Sequence, residues 1–228
     1  MDNIIEIKNL CKIYGTKIKT EVLHDISLEI KKESFTSIIG QSGSGKSTLL
    51  NIISTLDKSS KGKVIIDGVD ISKLKKKDLF SLRSEKIGFI FQFHYLLPEF
   101  SCLENVLIPL EIKGEKITKE KLEKANTLLD MVGLADVKNN LATDMSGGQQ
   151  QRTAIVRALM GEPSIIFADE PTGNLDTEST NQIYDLLREI NKKYKTTMVI
   201  ITHNREIADK ADRIIEITDG CITLDITN

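Results

Sequence analysis

The stretch "GQSGSGKST", residues 40–48, follows directly on the apolar run "FTSII" at 35–39. A buried strand that feeds a loop of glycines and small hydroxyl residues, and then a helix beginning near Lys46, makes a cradle for phosphate. The glycines let backbone N–H groups turn inward, and the helix N-terminus favours an anion. Gly40, Gly45, Lys46 and Ser47 fit the spacing G-x-x-x-x-G-K-[ST], and Gln41, Ser42, Gly43, Ser44 and Thr48 complete the loop. The bland alternative, a Gly/Ser turn, does not need a strand before it and a helix after it. Kinases, GTPases and motors share such loops, so the rest of the chain decides the chemistry.

Around the loop, strand and helix signals alternate. "IIEIKNL" (4–10) and "VLHDISLEI" (22–30) read as strands, joined by a hairpin loop that holds Tyr14 and Gly15. Short apolar runs at 35–40, 62–68 and 86–92 read as further strands, as do "SIIFADE" (164–170), "TMVIIT" (197–202) and "RIIEI" (213–217). Helical spacing covers 46–54 and "TESTNQIYDLLREINKKY". From 93 to about 157 strand signals stop, and "LENVLIPLEI", "KEKLEKANTLLDMVGL" and "SGGQQQRTAIVRALM" read as helices, the last capped by Ser146. "KKK" at 75–77 reads as a solvated turn. The expected organisation is an α/β nucleotide-binding core, 1–92 and 158–228, beginning with a β subdomain and interrupted by a helical subdomain at 93–157.

Several function classes are disfavoured. A net charge of −2 gives no electrostatic case for nucleic-acid binding. Cys11, Cys102 and Cys221 form no C-x-x-C, and three unclustered histidines give no support for structural zinc. No run approaches ~18 apolar residues, and "MDNIIEIKNL" lacks the apolar core of a signal peptide. Work at a membrane is therefore expected to go through a partner.

Two further motifs narrow the reaction. Asp169 and Glu170 end a buried strand. A phosphate-loop enzyme needs one carboxylate near Mg²⁺ and one group to activate water, and adjacent acids can divide these tasks. Asp169 is expected to act on the metal through water, and Glu170 on the attacking water. The plainer reading is two acids opening a solvated loop. "MSGGQ", 145–149, is a second glycine-rich helix start. There Ser146, Gly147, Gly148 and Gln149 could hold another phosphate, or simply cap a helix.

Taken in order and at these spacings, "GQSGSGKS", "MSGGQ", "SIIFADE", "GNLD" and "ITH" resemble an ABC-transporter ATP-binding cassette over nearly the whole chain, 1–228. The resemblance implies a P-loop NTPase, RecA-like core with an antiparallel β subdomain and an inserted α-helical subdomain. It implies ATP and Mg²⁺, with Ser47, Gln92 and Asp169 at the metal and Glu170, His203, Lys46 and Gln92 at the reaction. Tyr14 would stack on adenine, the competing reading being that it packs on the hairpin. Asp176 in "GNLD" would communicate across a dimer, and His203 would contact the γ-phosphate. Two cassettes would pack head to tail, so that Ser146–Gln149 of one completes the ATP site of the other. Met145 stands where Leu is commonest and Asn204 where Asp is frequent, and neither change removes a catalytic group.

"GFIFQFHYLLPEFSCLENVLIPL" (88–110), with "SGGQQQR" and "DEPTGNLD", is similar to the cassettes of lipoprotein-releasing and macrolide-efflux systems. That similarity implies an integral-membrane permease as partner, a homodimer on ATP binding, and a peripheral place on the cytoplasmic face of the inner membrane. The apolar residues between 93 and 110, Tyr95 and Leu97 among them, are expected to leave an exposed patch for that permease. The alternative is a soluble ABC-type ATPase acting on ribosomes or DNA. Such proteins carry two cassettes or a coiled-coil arm, and an insert of roughly 60 residues is too short for the arm. A GTPase is set aside because "NKKY" (191–194) lacks the Asp of a guanine-reading N-K-x-D loop.

Overall fold

Two kinds of apolar pattern give two sheets. In the computed structural model, which describes residues 2–228, the alternating N-terminal runs pair as β1 (Asn3–Tyr14) and β2 (Thr20–Lys31). With β4 (Lys61–Ile66) and β5 (Val69–Asp70) they form an antiparallel sheet of order β2-β1-β4-β5. The unbroken runs form β3 (Phe35–Ile39), β6 (Ile87–Phe91), β7 (Ile165–Asp169), β8 (Thr197–Ile201) and β9 (Arg213–Thr218). These five are mutually parallel, in the order β9-β3-β8-β7-β6. β10 (Cys221–Thr227) adds an antiparallel edge beside β9.

The parallel strands bury most of their residues because both their faces are covered, and β3 buries Thr36 and Ser37 along with its apolar side chains. Successive residues of β7 and β8 point to opposite sides. Ile165, Phe167, Val199 and Ile201 pack towards the antiparallel sheet, together with Leu49 and Leu50 of α1 (Lys46–Ile53). Ile166, Ala168, Met198 and Ile200 pack on the other face with the buried sides of α3 (Cys102–Ile112), α4 (Lys119–Met131), α5 (Gly147–Met160) and α6 (Thr177–Tyr194). A reciprocal capping box between Ser101 and Glu104 starts α3. After α4, Gly133 takes the left-handed turn, with φ 70°. Among the described residues, the only strand-like pairing between 93 and 157 is the single bridge of Ser101 with Leu141.

Two readings need correction. The lysines at 75–77 are exposed, but Lys76 and Lys77 open α2 (Lys76–Lys86), with Lys75 as its cap. That helix buries none of its residues fully, so it carries little of the apolar periodicity that betrays a helix. β10 was not foreseen either. None of its residues is fully buried, but Ile222, Leu224 and Ile226 alternate with Thr223, Asp225 and Thr227, and Ile222 packs on the core, so the period-2 signal of a strand was present in the sequence.

Candidate functional site

The C-terminal ends of the central strands open on one edge of the sheet, where ligands of open α/β folds bind. β3 runs into the phosphate loop there. At Gly40, φ is 148°, and a Cβ would stand 2.2 Å from the Ile217 carbonyl oxygen. Gly45, at φ 104°, caps α1, and a Cβ there would come 2.8 Å from Leu23 Cδ2. Neither position admits a side chain. The first turn of α1 has neither a side-chain cap nor an acidic residue, so its N–H groups and positive dipole end are left for an anion. Lys46 is buried, and its Nζ donates to the carbonyls of Gly40 (2.9 Å) and Gln41 (2.7 Å) across the loop. Ser44 Oγ is buried with no hydrogen-bond partner.

The strand end divides the two acids. Asp169, last in β7, reaches Ser47, whose Oγ donates to Asp169 Oδ1 at 3.4 Å. Glu170 turns away at φ 48°, its N–H held by the Ile201 carbonyl at 3.0 Å. Its Oε2 lies 2.5 Å from His203 Nδ1. An ionised carboxylate only accepts, so Nδ1 carries the proton in this pair. His203 itself is well exposed.

Burial pushes the Asp169 carboxyl above the usual Asp range, and the neighbouring Glu170 charge adds to this, while the Ser47 hydroxyl and Lys46 pull the other way. A carboxyl with a folded pKa above its unfolded one costs the fold stability as pH rises through the carboxylate range, and the full cost is present at pH 7. Asp169→Asn should therefore raise the Tm of the nucleotide-free protein at pH 7 by roughly 2 °C. The gain should vanish in a melt near pH 3. A variant that melts lower than the parent at pH 7 would refute this.

The other sequence-derived residues fall into separate places. Gln92, just beyond β6, exchanges hydrogen bonds with Asn174. Its Nε2 donates to Asn174 Oδ1 at 3.4 Å, and Asn174 Nδ2 donates to the Gln92 carbonyl at 3.3 Å. Asp176 caps α6 by accepting from the Ser179 N–H (2.9 Å) and hydroxyl (2.7 Å). Those bonds, the backbone one foremost, hold its carboxyl below the usual range. Ser146 and Gln149 form a reciprocal capping box at the start of α5. Among the described residues, no hydrogen bond joins 146–149 to the phosphate loop of the same chain. Tyr14 ends β1, is 41% exposed, and donates from its hydroxyl to Asp57 Oδ2 at 2.7 Å, away from the hairpin tip. Asn174 and Asp57 were missed by sequence reasoning. Each meets its partner over a long separation, and nothing local to either residue signals the pairing.

The family described as "ABC transporter" matches residues 23–173. The chain is 45% identical over 224 residues to the lipoprotein-releasing system ATP-binding protein LolD 1 of Rhodopseudomonas palustris, covering 97% of this chain and 99% of that one. It is also 45% identical over 227 residues to the lipoprotein-releasing system ATP-binding protein LolD of Aquifex aeolicus, covering 100% and 99%. Among solved structures, a dimeric ATP-binding cassette in a post-hydrolysis state bound to ADP and Pi superposes with a TM-score of 0.89 at 39% identity, over 98% of both chains. With the phosphate loop, the paired acids and the two sheets as described, these likenesses show that the chain belongs to the ABC transporter family and is its ATP-hydrolysing cassette.

Proposed function

We propose that the chain drives lipoprotein release. Two copies would close head to tail around ATP on the cytoplasmic face of the inner membrane and move a partner permease. The observation that carries the ATPase chemistry is the convergence of Lys46, the Ser47–Asp169 contact and the Glu170–His203 pair at one sheet edge. The choice of lipoprotein as cargo is supported by the full-length similarity to lipoprotein-releasing cassettes. Action on ribosomes or DNA is set aside because these relatives are transport cassettes.

The loop N–H groups and Lys46 bind phosphate oxygens. Ser47 and Asp169 offer oxygen donors of the kind magnesium takes, and Gln92 follows Phe91, the residue paired with Asp169 in the sheet. A magnesium ion held by one hydroxyl and one carboxylate would be completed by substrate phosphates and water. Bound there, magnesium would offset charge on the phosphate oxygens. Glu170 takes a proton from water as the water oxygen bonds to the γ-phosphorus and the bridging oxygen leaves with ADP. His203 orients Glu170 through Nδ1. To donate to a γ-phosphate oxygen through Nε2, it must be imidazolium or release Glu170, and its exposure leaves it free to swing. Ser146–Gln149 would act on the partner cassette's ATP, which agrees with their separation from the phosphate loop of their own chain.

The permease reading is supported by a groove of about 430 Å³, whose lining includes Phe80, Phe89, Phe91, Tyr95, Ile108 and Ile112. Tyr95 is 65% exposed and Leu97 44%, while Val106, Leu107 and Leu110 sit in the core. Arg157 of α5 donates to the Tyr95 and His94 carbonyls, both at 2.6 Å, so this loop is tied to the helix that begins at the second phosphate motif. Tyr95→Glu or Leu97→Glu should leave basal ATPase within about twofold of the parent, since surface substitutions away from the site cost little. Co-purification with the permease, and ATP-dependent lipoprotein release from reconstituted vesicles, should be lost. Intact complex and release in both variants would remove the docking assignment.

A further inference from the structure

The end of β1 and the segment after α1 share a cluster that lies outside every motif named above. Lys12 and Tyr14 are two residues apart on one strand and so share a face. Tyr14 donates its hydroxyl to one oxygen of Asp57, and Lys12 Nζ donates to the other at 2.8 Å. The same ammonium donates to the Lys58 carbonyl at 2.6 Å. It also stands 4.5 Å from the centre of the Tyr14 ring. Lys12 is buried, 7% exposed, and a buried ammonium persists only when it is paired. Burial alone would raise the Asp57 carboxyl, but the bonds from Lys12 and Tyr14 outweigh it and hold the carboxyl low. The charged pair is therefore a fixed part of the fold. Thr48, last residue of the phosphate loop, also lies beside the Tyr14 hydroxyl.

The consequence for the ring is specific. An aromatic side chain at a strand end ordinarily rotates about two torsions. Here the hydroxyl is anchored at one end and the ammonium occupies one ring face, while the ring as a whole stays 41% exposed. The solvent side is then a preset flat surface, with its edge at the phosphate loop. A cation on one face also draws π density from the other, which suits an electron-rich purine.

We infer that Lys12 and Asp57 are positioning residues for base recognition: they lock the Tyr14 ring so that the face opposite Lys12 is presented to the adenine of a nucleotide whose phosphates lie on residues 40–48. The inference rests on Tyr14 being the adenine platform. Fixing the ring before the ligand arrives removes an ordering cost from binding, and only for ligands that carry a base.

The test compares two ligands on the full-length protein: ATP, and inorganic triphosphate, which has the phosphates without the base. Affinities are read directly by calorimetry. Asp57→Ala and Tyr14→Phe each release the hydroxyl anchor, and Asp57→Ala also unpairs Lys12. Each should weaken ATP binding by roughly three- to tenfold and leave triphosphate binding unchanged. The double variant should be no worse than Asp57→Ala alone, because Tyr14→Phe removes a bond that Asp57→Ala has already broken. Equal losses for ATP and triphosphate would mean that the cluster merely buttresses the loop, and would overturn the inference. Unchanged ATP affinity in both variants, with a loss in Tyr14→Ala, would overturn the lock and keep the platform. If Tyr14→Ala also binds ATP normally, the platform itself is wrong and the inference falls with it. Should Asp57→Ala fail to fold, Tyr14→Phe still decides, since it keeps the ring and its packing.

Discussion

Lys46→Ala is expected to lower ATP turnover by about two to three orders of magnitude, the scale on which a preorganised charge at the reacting phosphate acts. The ammonium is buried and spans the mouth of the loop between the Gly40 and Gln41 carbonyls. Those two bonds hold the charge where phosphate oxygens would arrive, at the open first turn of α1. No other residue between 40 and 48 is cationic, so no neighbour can take over the role. Alanine removes the charge and leaves the glycine conformations and the helix start unchanged. The measurement is steady-state phosphate release from purified protein, with circular dichroism and a melt to show that the fold is intact. Turnover near that of the parent in a folded variant would overturn the assignment of the loop.

The phosphate loop was legible in the sequence because its chemistry is local. Strand, glycines, lysine and helix start are contiguous, and the structure keeps them so. The parallel sheet was legible because strands covered on both faces need short, largely apolar runs such as "FTSII" and "TMVII". The Ser47–Asp169 contact bridges 122 positions, and composition or periodicity could not have joined them. Their pairing was expected only through the resemblance to a known cassette. α2 buries nothing fully and so lacks a clear period, whereas β10 alternates from Ile222 to Thr227 and was legible as an edge strand. The Lys12–Asp57–Tyr14 cluster links residues 43 and 45 positions apart through a loop whose course is set by α1 and the antiparallel sheet packing together. Likewise Glu170 and His203 were each given a separate task on the nucleotide. Only the parallel register of β7 on β8, which sets Asp169 beside Ile201, puts the two side chains that follow within one hydrogen bond.

That contact bears on the second large expected effect. Glu170→Gln should slow hydrolysis by about two orders of magnitude or more while leaving ATP bound between two cassettes. The substitution is nearly isosteric. The backbone at 170 keeps its left-handed turn, because its N–H is tied to the Ile201 carbonyl at 3.0 Å. The amide can turn its oxygen towards His203 Nδ1, so the partner side chain is still held. What the amide cannot do is accept a proton from water at neutral pH. Ground-state contacts to ATP should survive, including those from Lys46 and from residues 146–149 of the other cassette, and only the step that opens the dimer is removed. Addition of ATP without magnesium should then shift the variant from monomer to dimer in analytical sedimentation, and the dimer should persist for hours. The parent should pass through the dimer only transiently once magnesium is supplied. Adding Ser146→Arg to Glu170→Gln separates a shared site from a self-contained one. If residues 146–149 complete the other cassette's ATP site, the double variant binds ATP and stays monomeric. A Glu170→Gln protein that binds ATP and remains monomeric even with its permease would sink the shared-site arrangement, and one that turns over ATP at the parent rate would remove Glu170 from the role of base.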